Sequence, residues 1–247
     1  MNSWTIRLIA ANVVMFVLTS LAPAVTTMLM FVPAYVVVRP WTIVTYMFLH
    51  GGVWHLLFNM LGLYFFGPRL EEELGTREFL LLYFISGIVG GMFSFLTPFV
   101  AIIGASGALF GVLLGFARYW PRESIYIWGI LPIQARWMVV IMTVLSLIGG
   151  FGGSSDNIAH FAHLGGFAGG YLFLVWRDRR TRAARTLSVG PPPPSSADLH
   201  RWMRIDRDKL HEVNRAELDR ITGKIRTLGA ASLTQSEREF LERFSAT

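Results

Sequence analysis

Three short segments place polar side chains inside otherwise apolar stretches of the sequence. The segment WHLLFNM carries His55 and Asn59, which are four residues apart and share one face of a helix. The segment GASGALFG carries Ser106, and AHFAHLGG carries His160 and His163. These groups suit serine nucleophilic catalysis, because a serine hydroxyl needs a base to take its proton and the oxyanion needs hydrogen-bond donors.

Each segment taken alone also has a structural interpretation. A serine among small residues is common in membrane helices, where it permits close backbone approach. His55 and Asn59 could form hydrogen bonds between helices. His160 and His163 could bind a metal ion, but the same span offers neither an acidic residue nor a third imidazole as a ligand. We therefore expect no metal site and no cofactor.

The composition indicates a membrane protein with a water-soluble tail. The 247 residues are 53% hydrophobic and 15% charged, whereas soluble domains are about 25% charged. Only seven of the 22 Lys and Arg residues lie in 1–176. The net charge of +6 does not predict nucleic-acid binding, because the tail's basic residues alternate with acidic ones. The absence of cysteine excludes disulfides and a thiolate nucleophile.

Six apolar runs predict six transmembrane helices in an all-α, polytopic membrane bundle. A spanning helix needs about 20 mostly apolar residues. The runs fall at about 6–30, 54–67, 78–97, 105–117, 132–149 and 158–176. Placing the N-terminus in the cytoplasm leaves Arg39 as the only basic residue of the outer segments, so the positive-inside rule predicts that both termini are cytoplasmic.

This orientation brings the polar segments to one depth. The second, fourth and sixth helices all run inward from the outer face, and His55, Ser106 and His163 lie within one or two turns of their starts. At about 1.5 Å rise per residue, all three fall within roughly 10 Å of the outer surface.

The predicted domains are a transmembrane domain at 1–180, a basic and Pro-rich linker at 181–197 and a cytoplasmic helical tail at 198–247. The linker contains GPPPPSS at 190–196, which disfavours helix. In the tail, apolar residues recur at helical spacing over 218–228 and end at Gly229, a candidate C-cap. Thr234 and Glu237 form a capping box before a second helix. The tail is thus a predicted helical hairpin, with no recognisable chemistry and an unknown partner.

In combination, the polar segments resemble the rhomboid family of intramembrane serine proteases over residues 1–176. The family motifs are H-x-x-x-N, G-x-S-G and A-H-x-x-G-x-x-x-G. They match His55 and Asn59; Gly104, Ser106 and Gly107; and Ala162, His163, Gly166 and Gly170. Further matches are Trp41, His50 and the segment FGPRLEEELG.

The resemblance implies a role for each polar residue. Ser106 would be the nucleophile and His163, three residues before Gly166, its base, with His160 a hydrogen-bonding residue. The last span holds no acidic residue, so we expect a dyad; the alternative is a triad in which Asp156, in the preceding loop, orients the imidazole.

Supporting roles also follow from the resemblance. Phe110 occupies the position of an aromatic ring that stacks on the imidazole, where many members have Tyr. His55, Asn59 and the Ser106 N–H would stabilise the oxyanion. Gly104, Gly166 and Gly170 would support the site, the last two by letting helices pack closely.

The implied activity is endoproteolysis of transmembrane proteins near the outer face of the bilayer, in the cytoplasmic membrane of a bacterium. The main alternative is a non-catalytic rhomboid-like protein that binds transmembrane helices. Such relatives lack the Ser or the His of the dyad, and this sequence has both. A solute transporter is disfavoured, because the polar cluster is predicted near one face and no inverted repeat is evident.

Overall fold

The computed structural model describes residues 3–127, 129–152, 159–188 and 194–245, with the backbone alone over 182–188. These residues form eleven α-helices and one β-hairpin. In chain order they are α1 Trp4–Leu21, α2 Pro23–Leu29, α3 Thr42–Thr45, α4 Val53–Leu74, α5 Thr76–Phe93, α6 Ser106–Tyr119, β1 Ser124–Ile127, β2 Leu131–Gln134, α7 Ala135–Phe151, α8 His160–Ser188, α9 Ser196–Trp202, α10 Glu212–Leu228 and α11 Gln235–Ser245. The chain packs as two compact units, Met1–Arg177 and Asp178–Thr247.

Every predicted apolar run contains a helix. Among the described residues, Trp4–Leu21 and Thr76–Leu96 are long and apolar enough by themselves to cross a bilayer, whereas α6 and α7 are shorter apolar helices. The first run is divided into α1 and α2 at Pro23. Proline has no N–H to continue a helix and disfavours the helical conformation in the residue before it, here Ala22.

The β-hairpin corrects the prediction that the fold is entirely helical. Strands β1 and β2 are antiparallel, with Tyr126 opposite Pro132, and β2 occupies the start of the run predicted as the fifth span. Isoleucines alternate along β1, and Gly129 in the connecting turn has a φ of +72°. Alternating β-branched residues joined by a glycine turn favour a hairpin over a helix.

A single residue, Gly75, joins α4 to α5. Its φ of +79° lies in the left-handed region, which glycine adopts without strain and which reverses the chain here. Just before this turn, the buried Glu71 carboxylate accepts hydrogen bonds from both the N–H and the hydroxyl of Thr5, at 3.0 and 2.9 Å. It also accepts one from the Thr76 hydroxyl at 3.0 Å. Glu71 therefore ties the start of α1 and the start of α5 to the end of α4.

The second unit has its own apolar core. Buried members of this core are Trp202, Leu218, Ile221, Leu233 and Leu241. The predicted capping box is confirmed: the Thr234 N–H donates to Glu237 at 2.8 Å, and the Glu237 N–H donates to the Thr234 hydroxyl at 3.3 Å. The tail has three helices rather than the predicted two, since Ser195 and Asp198 form a further capping box that begins α9.

Candidate active site

Ser106 and His163 meet at the starts of two helices. Ser106 is the first residue of α6 and His163 lies in the first turn of α8. Their Oγ and Nε2 atoms are 2.8 Å apart, within hydrogen-bonding distance. The pair joins residues 57 positions apart in sequence and is partly buried.

Glycines bring the two helices close enough for this contact. A Cβ atom added to Gly166 would collide with the carbonyl oxygen of Gly107, so the two backbones touch at this level. One turn further on, a Cβ on Gly170 would lie 2.9 Å from the Gly111 Cα. Any side chain at these positions would push α8 away from α6, and with it the imidazole from the hydroxyl.

An aromatic ring fixes the orientation of the imidazole. The ring of Phe110, one turn after Ser106 on α6, stacks on His163 with centroids 4.2 Å apart and planes 18° apart. Phe167 also packs against Phe110, with centroids 4.8 Å apart and planes 53° apart. Stacking on the face of Phe110 thus orients the imidazole. In serine hydrolases a carboxylate commonly has this role.

His55 approaches the same point from α4. Gly104 has a φ of +126°, and a Cβ added there would lie 2.7 Å from His55 Nε2 and 3.8 Å from Ser106 Oγ. The Gly51 N–H donates to His55 Nδ1 at 3.4 Å. Because Nδ1 accepts this bond, a neutral His55 carries its hydrogen on Nε2, the nitrogen that lies beside Gly104. This assignment follows from the hydrogen-bond network.

Two further donors accompany His55. The N–H of Ser106 has no acceptor within α6, because the first residues of a helix lack intrahelical partners. Asn59 is buried one turn after His55, and its Nδ2 donates to the His55 carbonyl at 2.8 Å. An amide nitrogen carries two hydrogens, so this bond uses one of them.

Tyr46 also supports the site, and no sequence motif predicts this role. The Gly104 N–H donates to the Tyr46 carbonyl at 2.9 Å, and the Tyr46 hydroxyl donates to the Gly87 carbonyl on α5 at 2.7 Å. Tyr46 thereby fixes the turn before Ser106 against α5. Close by, the buried His50 ring lies edge-on to His55, with centroids 5.0 Å apart.

Other residues considered from the sequence lie elsewhere. His160 packs beside Gly149 of α7, and its ring centroid is 6.3 Å from that of His163. Asp156 lies outside the described residues. No cluster of three or more potential metal ligands occurs in the part of the chain that the structure describes.

The arrangement has the parts of an acyl-transfer site. A hydroxyl is hydrogen-bonded to an imidazole, the imidazole is held by stacking, and an imidazole N–H and a backbone N–H are near the hydroxyl. If Ser106 attacked a carbonyl carbon, the negative charge would develop on the carbonyl oxygen, beside these donors.

Comparisons with known proteins match the same part of the chain. The rhomboid domain family matches residues 38–179. The chain is 31% identical to rhomboid-like protease 3 of Toxoplasma gondii over 180 residues, covering 71% of this chain and 60% of that protein. It is 39% identical to RHOMBOID-like protein 1 of Arabidopsis thaliana over 166 residues, covering 65% and 41%.

A bacterial relative is also similar. The chain is 36% identical to the rhomboid protease GluP of Bacillus subtilis over 132 residues, covering 53% of this chain and 25% of that protein. The chain therefore spans less than two thirds of the length of each of these three relatives.

Proposed function

The chain belongs to the rhomboid family, and we propose that it is an intramembrane serine endopeptidase with a Ser106–His163 dyad. The observation that carries the proposal is the 2.8 Å contact between Ser106 Oγ and His163 Nε2. A general base must lie within hydrogen-bonding distance of the proton that it removes, and this pair satisfies the requirement.

The reaction has two halves. His163 Nε2 takes the hydroxyl proton as Ser106 Oγ attacks the scissile carbonyl, and the resulting imidazolium protonates the leaving amine. The C–N bond breaks and leaves an ester on Ser106. Water then attacks the ester with His163 again as base, which releases the new carboxyl terminus and restores the hydroxyl.

The negative charge of each tetrahedral intermediate falls on the former carbonyl oxygen. His55 Nε2–H and the Ser106 N–H are the proposed donors, and the second amide hydrogen of Asn59 is a third. Loss of one such donor typically lowers kcat by about 10²–10³-fold.

We further propose that six helices span the bilayer: α1, α4, α5, α6, α7 and the first part of α8. Both termini would lie in the cytoplasm, in the cytoplasmic membrane of a bacterium, and the dyad near the outer face. The substrates would be transmembrane proteins cut near that face, in segments whose helix unwinds easily, because a helical peptide bond is shielded from attack.

The test uses the purified full chain in liposomes with a reporter substrate. The reporter is a single transmembrane helix with helix-breaking residues near one end and a fluorophore on each side. Ser106→Ala and His163→Ala should each lower cleavage by about 10⁴-fold or more. Ser20→Ala, which removes an exposed hydroxyl bonded within α1, and His160→Ala should retain most activity.

A second readout distinguishes an enzyme from a helix-binding protein. A fluorophosphonate should label Ser106, as mapped by mass spectrometry, and EDTA should leave cleavage unchanged. Label on another residue, loss of activity in EDTA, or reporter binding without cleavage by the intact chain would each contradict the proposal.

A further inference from the structure

The β-hairpin carries large apolar side chains that the protein leaves uncovered. Tyr126 is 62% exposed, Ile130 83% and Leu131 57%. The chain is fully buried again at the base of the hairpin, at Ala135. Three large apolar groups at the tip of one hairpin would be an unfavourable surface in water.

The base of the hairpin is firmly attached, so the tip has a defined position. The Ala135 N–H donates to the Glu123 carbonyl at 2.9 Å, and the Arg136 N–H donates to the Pro121 carbonyl at 3.2 Å. The Glu123 carboxylate pairs with Arg69 of α4 at 3.2 Å. The hairpin thus lies at the end of the bundle where α4 and α6 finish and α7 begins.

This end is one helix length from Ser106. α6 has 14 residues, which corresponds to about 21 Å along its axis. The hydrocarbon core of a bilayer is about 30 Å thick. A helix this short, starting below one surface, would therefore end near the boundary between acyl chains and headgroups on the other side.

The exposed tip continues an apolar face of α7. Along that helix Trp137, Ile141, Leu145 and Ile148 are all more than 40% exposed and recur every three or four residues. Such spacing places them on one side of the helix, and an exposed apolar side of a membrane helix faces lipid. Trp137, in the first turn of α7, adjoins β2, so this face runs directly into the hairpin.

Positive charge lies at the base of the hairpin. Arg122 and Arg136 flank the strands and are both exposed, and the Arg136 guanidinium lies 5.5 Å from the ring centre of Trp137. Arginine beside tryptophan and tyrosine is typical of residues at the level of lipid headgroups, where anionic lipids attract the guanidinium.

We propose that the hairpin is a membrane anchor. Tyr126, Ile130 and Leu131 insert at the headgroup–acyl boundary of the leaflet at the end of α6, and Arg122 and Arg136 contact anionic headgroups. Lipid rather than another protein covers the apolar surface of the hairpin. Its apolar groups continue the exposed face of α7, and its two arginines are complementary in charge to anionic lipid.

Lipid quenching of a single label tests the anchor directly. The chain has no cysteine, so Ile130→Cys can be labelled with bimane at one site in liposomes containing phosphatidylglycerol. Nitroxides attached near the top of the acyl chain should quench this probe strongly, placing it about 5–10 Å into the boundary. Aqueous iodide should quench it weakly.

Two matched sites calibrate the measurement. A probe at Ile148→Cys, on the exposed face of α7, should respond to lipid nitroxides, and one at the exposed Ser236→Cys of the tail should respond to iodide alone. Leu131→Cys repeats the hairpin measurement at a neighbouring site. Iodide quenching of both hairpin probes equal to that at Ser236, or quenching by neither agent, would overturn the proposal, the second result indicating a protein partner.

Discussion

The ring of Phe110 lies flat on the imidazole of His163, with centroids 4.2 Å apart and an interplanar angle of 18°. The stack joins the helix that begins with the serine to the helix that carries the histidine. It therefore couples the packing of α6 and α8 to the direction of the imidazole nitrogen that meets Ser106.

Phe110→Ala should lower kcat by about 10²-fold with little change in KM, because a misdirected base affects the chemical step more than substrate binding. Phe110→Tyr, which keeps the aromatic face, should restore most of kcat. Phe65→Ala, at a ring that is 65% exposed, serves as the control. Steady-state cleavage of the reporter substrate measures all three. Equal kcat in Phe110→Ala and the wild type would mean that stacking does not position the base.

Gly166→Ala should impair both folding and cleavage. Its methyl group would collide with the Gly107 carbonyl, and such overpacking typically costs about 1–3 kcal/mol. The matched change is Gly223→Ala, where a Cβ meets nothing within 4 Å and alanine favours the helix. Thermal unfolding in detergent and reporter cleavage give the two readouts. Unchanged cleavage in Gly166→Ala would show that close packing of α8 on α6 is not needed to hold His163 beside Ser106.

Glu71→Gln should destabilise the bundle. The carboxylate accepts several hydrogen bonds from the start of α1, and an amide would turn one of its two acceptors into a donor that faces other donors. We expect a loss of about 1–3 kcal/mol in the free energy of unfolding. Glu72→Gln, at an exposed neighbour on the same helix, should change it little. Comparable unfolding temperatures for the two variants would mean that Glu71 does not stabilise the contact of α1 and α5 with the end of α4.

The tail should lose stability in acid. Lys224, the Thr234 N–H and Arg220 lower the pKa of the Glu237 carboxyl from its ordinary value of 4.5 to about 2. Because the folded-state pKa is depressed, the contribution to stability is present above about pH 4.5 and is lost as the pH falls from there towards 2. Urea unfolding of a fragment covering 194–247, followed by the fluorescence of the buried Trp202, measures the trend.

The control for the acid experiment is a change at one carboxyl. Glu237→Gln should be less stable than the parent at neutral pH and should lose less stability between pH 4.5 and 2. Glu239→Gln, at an exposed position of the same helix, should follow the parent. Identical profiles for the Glu237→Gln variant and the parent would assign the acid sensitivity to other groups.

Truncation after Ser188 should leave reporter cleavage within a fewfold of the intact chain. The two units have separate apolar cores, and the candidate site is built entirely from the first. The truncated Ser106→Ala variant gives the background. Complete loss of cleavage in a truncated protein that still unfolds cooperatively in detergent would mean that the tail completes or gates the site.

The sequence reveals the polar members of the candidate site because they interrupt apolar runs. Lipid selects against polar side chains, so His55, Ser106 and His163 stand out against their neighbours, and short-range spacing assigns each to a helix start. Nothing comparable reveals Tyr46. Its contribution is a backbone carbonyl that meets Gly104 across 58 residues, and such a contact depends on the packed fold rather than on any local pattern.

The hydropathy pattern does not predict the hairpin, for a related reason. Leu131, Pro132 and Ile133 are apolar and adjoin the apolar α7, so the run looks like the beginning of a span. Their strand conformation depends on pairing with Ile125 to Ile127, on the far side of a turn. Similarly, α4 continues through Pro68 to Leu74, beyond the apolar run, because the carboxylate of Glu71 is satisfied by α1.

The one-residue connection at Gly75 constrains how the protein is made. With no loop between them, α4 and α5 cannot enter the bilayer as independent segments separated by a pause in water. They would have to enter the membrane as an antiparallel pair, with the carboxylates of Glu71–Glu73 and the guanidinium of Arg77 at the same end of that pair. The helix that carries His55 and Asn59 and the helix that receives the Tyr46 hydroxyl would thus reach the membrane in one step.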